Sequence, residues 1–249
     1  MSIIGTVNKQ INNMQINKFL SGVYFYMTLA LAATGITAYL FGTTDLIHTM
    51  YEIVPTENGE GTEMSMTGLG WVVTLAPLVM IFGLGAILRR TNSTIMFLGL
   101  MLFSVLMGMS MSYIFIFYTG LSIFTTFLIT AGLFSVLSIA GLVTNVDLTN
   151  LGTFLLFALI GLIIAMIANW FIQSPMMHYI ISGIAILVFL GLTAYDTQKL
   201  KEIGRGLKYG NDESKKLAIW GALDLYLDFI NLFIHLLQFL GVSSSSSND

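Results

Sequence analysis

Seven predominantly apolar stretches, each long enough to cross a bilayer, constrain this chain more than any other feature. They run approximately over Phe19–Gly42, Leu69–Leu88, Thr94–Tyr118, Leu121–Val143, Leu151–Ile172, Met176–Tyr195 and Leu217–Leu240, with no Lys or Arg inside any of them. A span needs about 20 apolar residues, because the hydrocarbon layer is about 30 Å thick and a helix rises about 1.5 Å per residue. Composition excludes the soluble class: 9 % of the residues are charged and 56 % are apolar, whereas soluble domains carry about 25 % charged residues. The sequence therefore predicts an all-α integral membrane protein, with seven transmembrane helices in one membrane domain over residues 19–241. Cysteine is absent, so disulfides, thiolate metal sites and Cys nucleophiles are excluded.

Loop charges orient the spans, since Lys and Arg stay on the cytoplasmic side. Lys9 and Lys18 precede span 1, and Arg89 and Arg90 follow span 2. Lys199, Lys201, Arg205, Lys208, Lys215 and Lys216 lie around the connection between spans 6 and 7. All ten basic residues fall on one side if the N-terminus is cytoplasmic and the C-terminus outside. The opposite side holds Asp45, Glu52, Glu57, Glu60, Glu63 and Asp249, and Glu52–Glu63 reads as a solvated loop. Residues 1–18 are expected to form a polar cytoplasmic tail rather than a cleaved leader. Residues 242–249, with the run Ser243–Ser247, are expected to be a disordered tail. The expected partners are the bilayer and cations, and no feature points to nucleic acid.

Ionisable groups within a bilayer are costly and mark candidate functional sites. Asp196 closes span 6, and Asp224 and Asp228 lie in span 7. At about 100° per residue, Asp224 projects about 40° from Asp228, Asn231 about 60° away and His235 about 20° away. Span 7 thus carries one polar stripe about 16 Å long. Such a stripe belongs against protein or water. Its blander reading is a seam that glues helices together, and Asn231 and His235 fit that reading as well as a pore-lining one. Two carboxylates sharing a site titrate as a unit, which makes a proton-sensitive latch. Deprotonated, they offer hard oxygen ligands to Ca²⁺. The candidate counter-charges are Arg90 and Arg89, although snorkelling also explains arginines at a span end. Spacing alone leaves open whether Asp224 or Asp228 pairs with Asp196. Asp228 would need span 7 to begin above the membrane surface, with Asp212 or Ser214 capping the early start, or span 6 to start deep.

The run Leu192–Lys201 (LTAYDTQKLK), followed by Gly221–Phe233 (GALDLYLDFINLF), resembles the Bax-inhibitor motif family of membrane proteins, in its bacterial branch. Gly108–Phe115, Thr130–Ser138 and Asp147–Phe154 resemble it as well, and the likeness runs from about Phe19 to Gly241. The resemblance implies a seven-helix fold with the last helix central in the bundle. It also implies a pH-sensitive calcium leak gated by an aspartate pair, carried over onto Asp196 and Asp228 as transient Ca²⁺ ligands. Ca²⁺ would be the permeant ion, with no cofactor. The family arginine falls on Arg90, with Arg89 beside it. Location in the bacterial inner membrane and a partnership with a membrane-bound, ATP-dependent protease are further implications. Asp224 departs from the family pattern, which has a neutral residue there, and Gln238 stands where an arginine is common. The loop Thr144–Asp147 lacks the basic residue often seen.

Three rivals compete with the channel reading. An intramembrane aspartyl protease would also use a Tyr-Asp on one span and an Asp on the next. However, Tyr226-Leu227 precedes Asp228 where such proteases have Gly-x-Gly, and no Pro-Ala-Leu motif is present. A proton-coupled transporter would use the dyad as a relay, but Pro77 in span 2 is its one supporting kink. The third rival is a non-catalytic regulator of the protease partner. The sequence favours a non-enzymatic channel.

Overall fold

A computed structural model describes residues 3–55, 62–87 and 91–242. The elements are α1 (Ile3–Thr43), α2 (Ile47–Met50), β1 (Tyr51–Pro55), β2 (Thr62–Met66), α3 (Gly68–Ile87), α4 (Ser93–Met111), α5 (Ile114–Phe117), α6 (Gly120–Val143), α7 (Thr149–Ile172), α8 (Pro175–Arg205) and α9 (Asp212–Leu240). Among the described residues six helical stretches are long and apolar enough to cross a membrane: Asn13–Thr43, Ser93–Phe117, Gly120–Val143, Thr149–Ile172, Pro175–Arg205 and Asp212–Leu240. The second expected span falls on α3, whose described apolar stretch, Gly68–Ile81, is shorter. Helices suit this solvent because each satisfies its own backbone donors and acceptors. The chain is a multi-pass α-helical membrane protein.

Three elements differ from the reading of the sequence. Helix α1 begins at Ile3, within the polar segment taken as a tail. The apolar residues Ile16, Phe19, Leu20 and Val23 recur at helical spacing and are buried, which ties the polar start to the span. The segment taken as an acidic loop forms an antiparallel hairpin, paired from Tyr51↔Met66 to Pro55↔Thr62. Glu63-Met-Ser-Met66 alternates polar and apolar residues, the period of a strand. The third expected span is interrupted at Ser112–Tyr113, where i→i−3 bonds such as Ser112 N to Met109 O replace the α-helical pattern. The expected tail from Ser243 to Asp249 lies outside the described residues.

The chain divides into two compact units. One comprises residues 26–119, where α4 packs on the later part of α1. Thr34 Oγ1 donates to Ser104 O at 2.9 Å, and Gly108 lets the two backbones approach, since a Cβ there would meet Thr34 O. Met50, Tyr51 and Val73 form its buried apolar cluster, in which burial pushes the Tyr51 hydroxyl above its ordinary value.

The other unit holds residues 1–25 and 120–242 and contains all three candidate aspartates. Helix α8 packs against α6, α7 and α9, and α9 also packs on α6. Its apolar core runs from Leu155 and Leu162 on α7 through Val188 and Phe189 on α8 to Leu232 and Leu236 on α9. On α6, Phe127 and Phe134 meet Phe229 edge to face, each at 5.5 Å between centroids. Small residues set the closest approaches: a Cβ on Gly141 of α6 would collide with Ala194 O, and one on Gly221 of α9 with the Leu200 side chain. Outward faces of α6 and α7 are apolar, with Leu121, Val136, Phe154 and Phe171 exposed, as a lipid solvent requires.

The lengths of α8 and α9 bear on the depth of the aspartates. At 31 and 29 residues they extend about 46 and 44 Å, well beyond a hydrocarbon layer of about 30 Å. Helix α9 begins at Asp212, ahead of the expected span start at Leu217. Its cap is Asn211, whose side chain accepts from Ser214 N at 2.8 Å, while Ser214 Oγ accepts from Gly210 N at 3.0 Å. This is a reciprocal capping arrangement. Gly210 enters it at φ 125°, a conformation that a side chain would strain. The connection is held by α1, where Gln15 Oε1 accepts from Tyr209 N at 2.9 Å and Phe19 meets the Tyr209 ring edge-on.

Candidate functional site

The site is built where the second half of α8 faces the middle of α9. Asp196 and Lys199 lie one turn apart on α8, so their side chains share a face. Lys199 Nζ is 3.7 Å from Asp196 Oδ1 and 3.9 Å from Asp224 Oδ2 on α9. One ammonium therefore bridges the two helices through two carboxylates. Asp228, one turn further along α9, is 5 % exposed, and its Oδ2 has no hydrogen-bond partner. It lies within electrostatic reach of Asp196, Asp224 and Lys199. Three carboxylates thus share one ammonium, which leaves an excess of negative charge if all are ionised.

The surroundings hold this face of α8 in place. Thr197, adjacent to Asp196, is fully buried, and its hydroxyl lies 3.0 Å from Ser138 Oγ on α6. Ser138 in turn contacts the Tyr24 hydroxyl on α1, making a hydroxyl chain across three helices. On the other side of α8, Gln198 Oε1 accepts from Leu148 N at 2.9 Å and Gln198 Nε2 donates to Val146 O at 2.8 Å. Lys201 Nζ donates to Leu142 O. These bonds pin the α6–α7 connection to α8. Within that connection, Asp147 Oδ1 accepts from both Thr149 N and Thr149 Oγ1. Those bonds hold the Asp147 carboxyl below its ordinary value. Between connection and helix lies a cleft of about 550 Å³, with Asn145, Asp147, Tyr195, Gln198, Lys199 and Glu202 in its walls.

The rest of the stripe on α9 behaves differently. Asn231 turns back on its own helix, donating from Nδ2 to Leu227 O at 2.8 Å, so that donor is met locally. His235 is 7 % exposed and stacks on Phe189 at 6.1 Å and 18°, with Nδ1 unpartnered. Gln238 accepts from Ser182 Oγ at 3.0 Å, so a neutral hydrogen bond to α8 occupies that position. The counter-charges read from the sequence, Arg89 and Arg90, lie outside the described residues. Among the described residues the cation beside the aspartates is Lys199, which in the sequence counts only toward topology. The i, i+3 spacing of Asp196 and Lys199 was the available signal. Gln198 and Lys201 gave no comparable signal, because their partners are backbone atoms of a distant loop.

The family described as Inhibitor of apoptosis-promoting Bax1 matches residues 16–245, which include the whole site. The chain belongs to this family. Within the Bax1-inhibitor family it is similar to an uncharacterized protein of Rickettsia prowazekii, at 40 % identity over 91 % of this chain and 90 % of the relative. It is similar also to the inner membrane protein YbhL of Escherichia coli, at 35 % identity over 90 % of this chain and 91 % of that one. An uncharacterized protein of Caulobacter vibrioides is 37 % identical over 91 % of this chain. These Bax1-inhibitor relatives match nearly end to end, so the likeness covers the entire membrane domain rather than one motif.

Proposed function

We propose that this chain is a pH-sensitive calcium-leak channel of the bacterial inner membrane, gated by carboxylates on α8 and α9, with no enzymatic activity. The observation that carries the reading is Asp228: a carboxyl buried between helices, with an unpartnered oxygen, in reach of Asp196 and Asp224. Leaving such a group unsatisfied costs stability, and helix glue alone would use a cheaper residue. Ca²⁺, a hard cation that takes carboxylate oxygens, suits the donor set of Asp196 and Asp228, which bind it transiently. Protonation at lower pH removes both the charge and the ligand, so occupancy and conduction depend on pH. The same proposal includes seven spans, a cytoplasmic N-terminus, an external C-terminus and a central last helix, because that topology gathers the basic residues on one side. Inner-membrane location follows the name of the Escherichia coli relative.

The experiment is Ca²⁺ flux into liposomes containing the purified chain, between about pH 5 and 8, with Asp196, Asp224 and Asp228 each changed to Asn. Flux that varies with pH in the parent, and loses that variation in Asp228→Asn, is the expected result. Absence of flux at every pH removes the channel reading.

A further inference from the structure

We infer that Lys199 is a tethered cation that occupies the aspartate site and competes with Ca²⁺ for it. The inference rests on the cation-binding part of the proposed function and adds a regulator that the family resemblance does not supply. It is carried by the placement of one side chain. Lys199 Nζ stands 3.7 Å from Asp196 Oδ1 and 3.9 Å from Asp224 Oδ2, so it bridges two helices and holds Asp196, a carboxylate that the proposed site offers to Ca²⁺. Both distances are near the outer limit for an ion pair, so the ammonium lies between the carboxylates without making a close bond to either. Asp228, buried behind them with an unpartnered oxygen, shows that one ammonium does not satisfy the site.

Lys199 also has somewhere to go. Its side chain is 46 % exposed, against 15 % for Asp196 and 25 % for Asp224. It lines the cleft between α8 and the α6–α7 connection, so the ammonium can turn into that space and stay solvated. A flexible four-carbon stem with a strongly hydrated head suits such a movement. Displacement by Ca²⁺ exchanges one charge for two among three carboxylates, so the ion gains where the ammonium leaves. Lys199 is the residue that both lines the cleft and reaches Asp196 and Asp224. Lys199 thereby raises the Ca²⁺ concentration at which the site fills.

The test is equilibrium dialysis of radioactive Ca²⁺ against the full chain in lipid nanodiscs. Lys199→Gln is expected to tighten Ca²⁺ binding about tenfold, the scale of removing one nearby charge from a partly buried carboxylate pair. Lys199→Arg, which keeps the charge, is expected to bind as the parent does. Combining Lys199→Gln with Asp196→Asn is expected to lose the gain. Unchanged or weaker binding in Lys199→Gln overturns the proposal, as does equal tightening in Lys199→Arg. A second measurement needs no variant: amine-reactive labelling of Lys199 in the parent protein, read by mass spectrometry, is expected to rise severalfold with Ca²⁺. Labelling indifferent to Ca²⁺ overturns the proposal even if Lys199→Gln fails to fold. Liposome flux separates this idea from the leak itself. Tighter binding without flux leaves the tethered cation standing and removes the channel; flux in the parent with unaltered binding in Lys199→Gln does the reverse.

Discussion

Gln198 on α8 accepts a hydrogen bond from the backbone N–H of Leu148 at 2.9 Å, across 50 positions of sequence. The same amide donates to Val146 O at 2.8 Å, so one side chain pairs with a loop as a neighbouring strand would. Gln198 sits between Asp196 and Lys201, on the stretch of α8 that carries the site. The loop and the carboxylate cluster are therefore held by adjacent residues of one helix.

Replacing Gln198 by Leu leaves Leu148 N and Val146 O without their partners. The expected cost is about 1–2 kcal/mol, concentrated in the connection rather than spread over the helix. Hydrogen exchange checks it: amides from Val146 to Thr149 should exchange about five to thirty times faster, with those of α9 unchanged. Uniform loss of protection along α8 would contradict a local clamp.

Asp147 makes the same connection sensitive to acid. Its hydrogen bonds from Thr149 lower its folded value below the ordinary 3.8. A lowered carboxyl contributes stability that is fully present above the unfolded value and is lost as pH falls through the folded one. Protection of the loop, corrected for intrinsic exchange, should hold from neutral pH down to about 4 and decline below it. Asp147→Ala should lose that protection at every pH.

Asp228→Asn separates function from stability. A buried carboxyl with an unpartnered oxygen is a strained choice for a helix interior, and an isosteric neutral side chain relieves it. The thermal midpoint in detergent should stay level or rise, by the equivalent of about 1 kcal/mol, while the pH dependence of Ca²⁺ flux disappears. A marked fall in the midpoint would mean that the carboxyl is structural.

Gly141 and Gly132 lie on the same helix and should respond oppositely to alanine. A Cβ on Gly141 meets Ala194 O, whereas a Cβ on Gly132 meets nothing within 4 Å. Gly141→Ala is expected to cost about 1–3 kcal/mol by forcing α6 from α8. Gly132→Ala should be neutral or stabilise by about 0.5–1 kcal/mol through backbone entropy. Thermal unfolding of the two variants side by side reads the difference.

The sequence alone established the membrane class and the family, and it singled out three carboxylates within apolar spans. Those features are local: hydropathy sums over consecutive residues, and a charge inside an apolar run is visible wherever the run lies. It also indicated which face of α9 is polar, because helical periodicity follows from spacing. The tertiary structure decided the rest. It carried α1 back to Ile3, paired residues 51–55 with 62–66, extended α8 and α9 past a bilayer's thickness, and placed Lys199 between Asp196 and Asp224. No spacing within one helix reports that last arrangement, because it depends on the rotation and register of α8 against α9. Those are set by close approaches such as Gly221 on Leu200, which arise only when the helices pack.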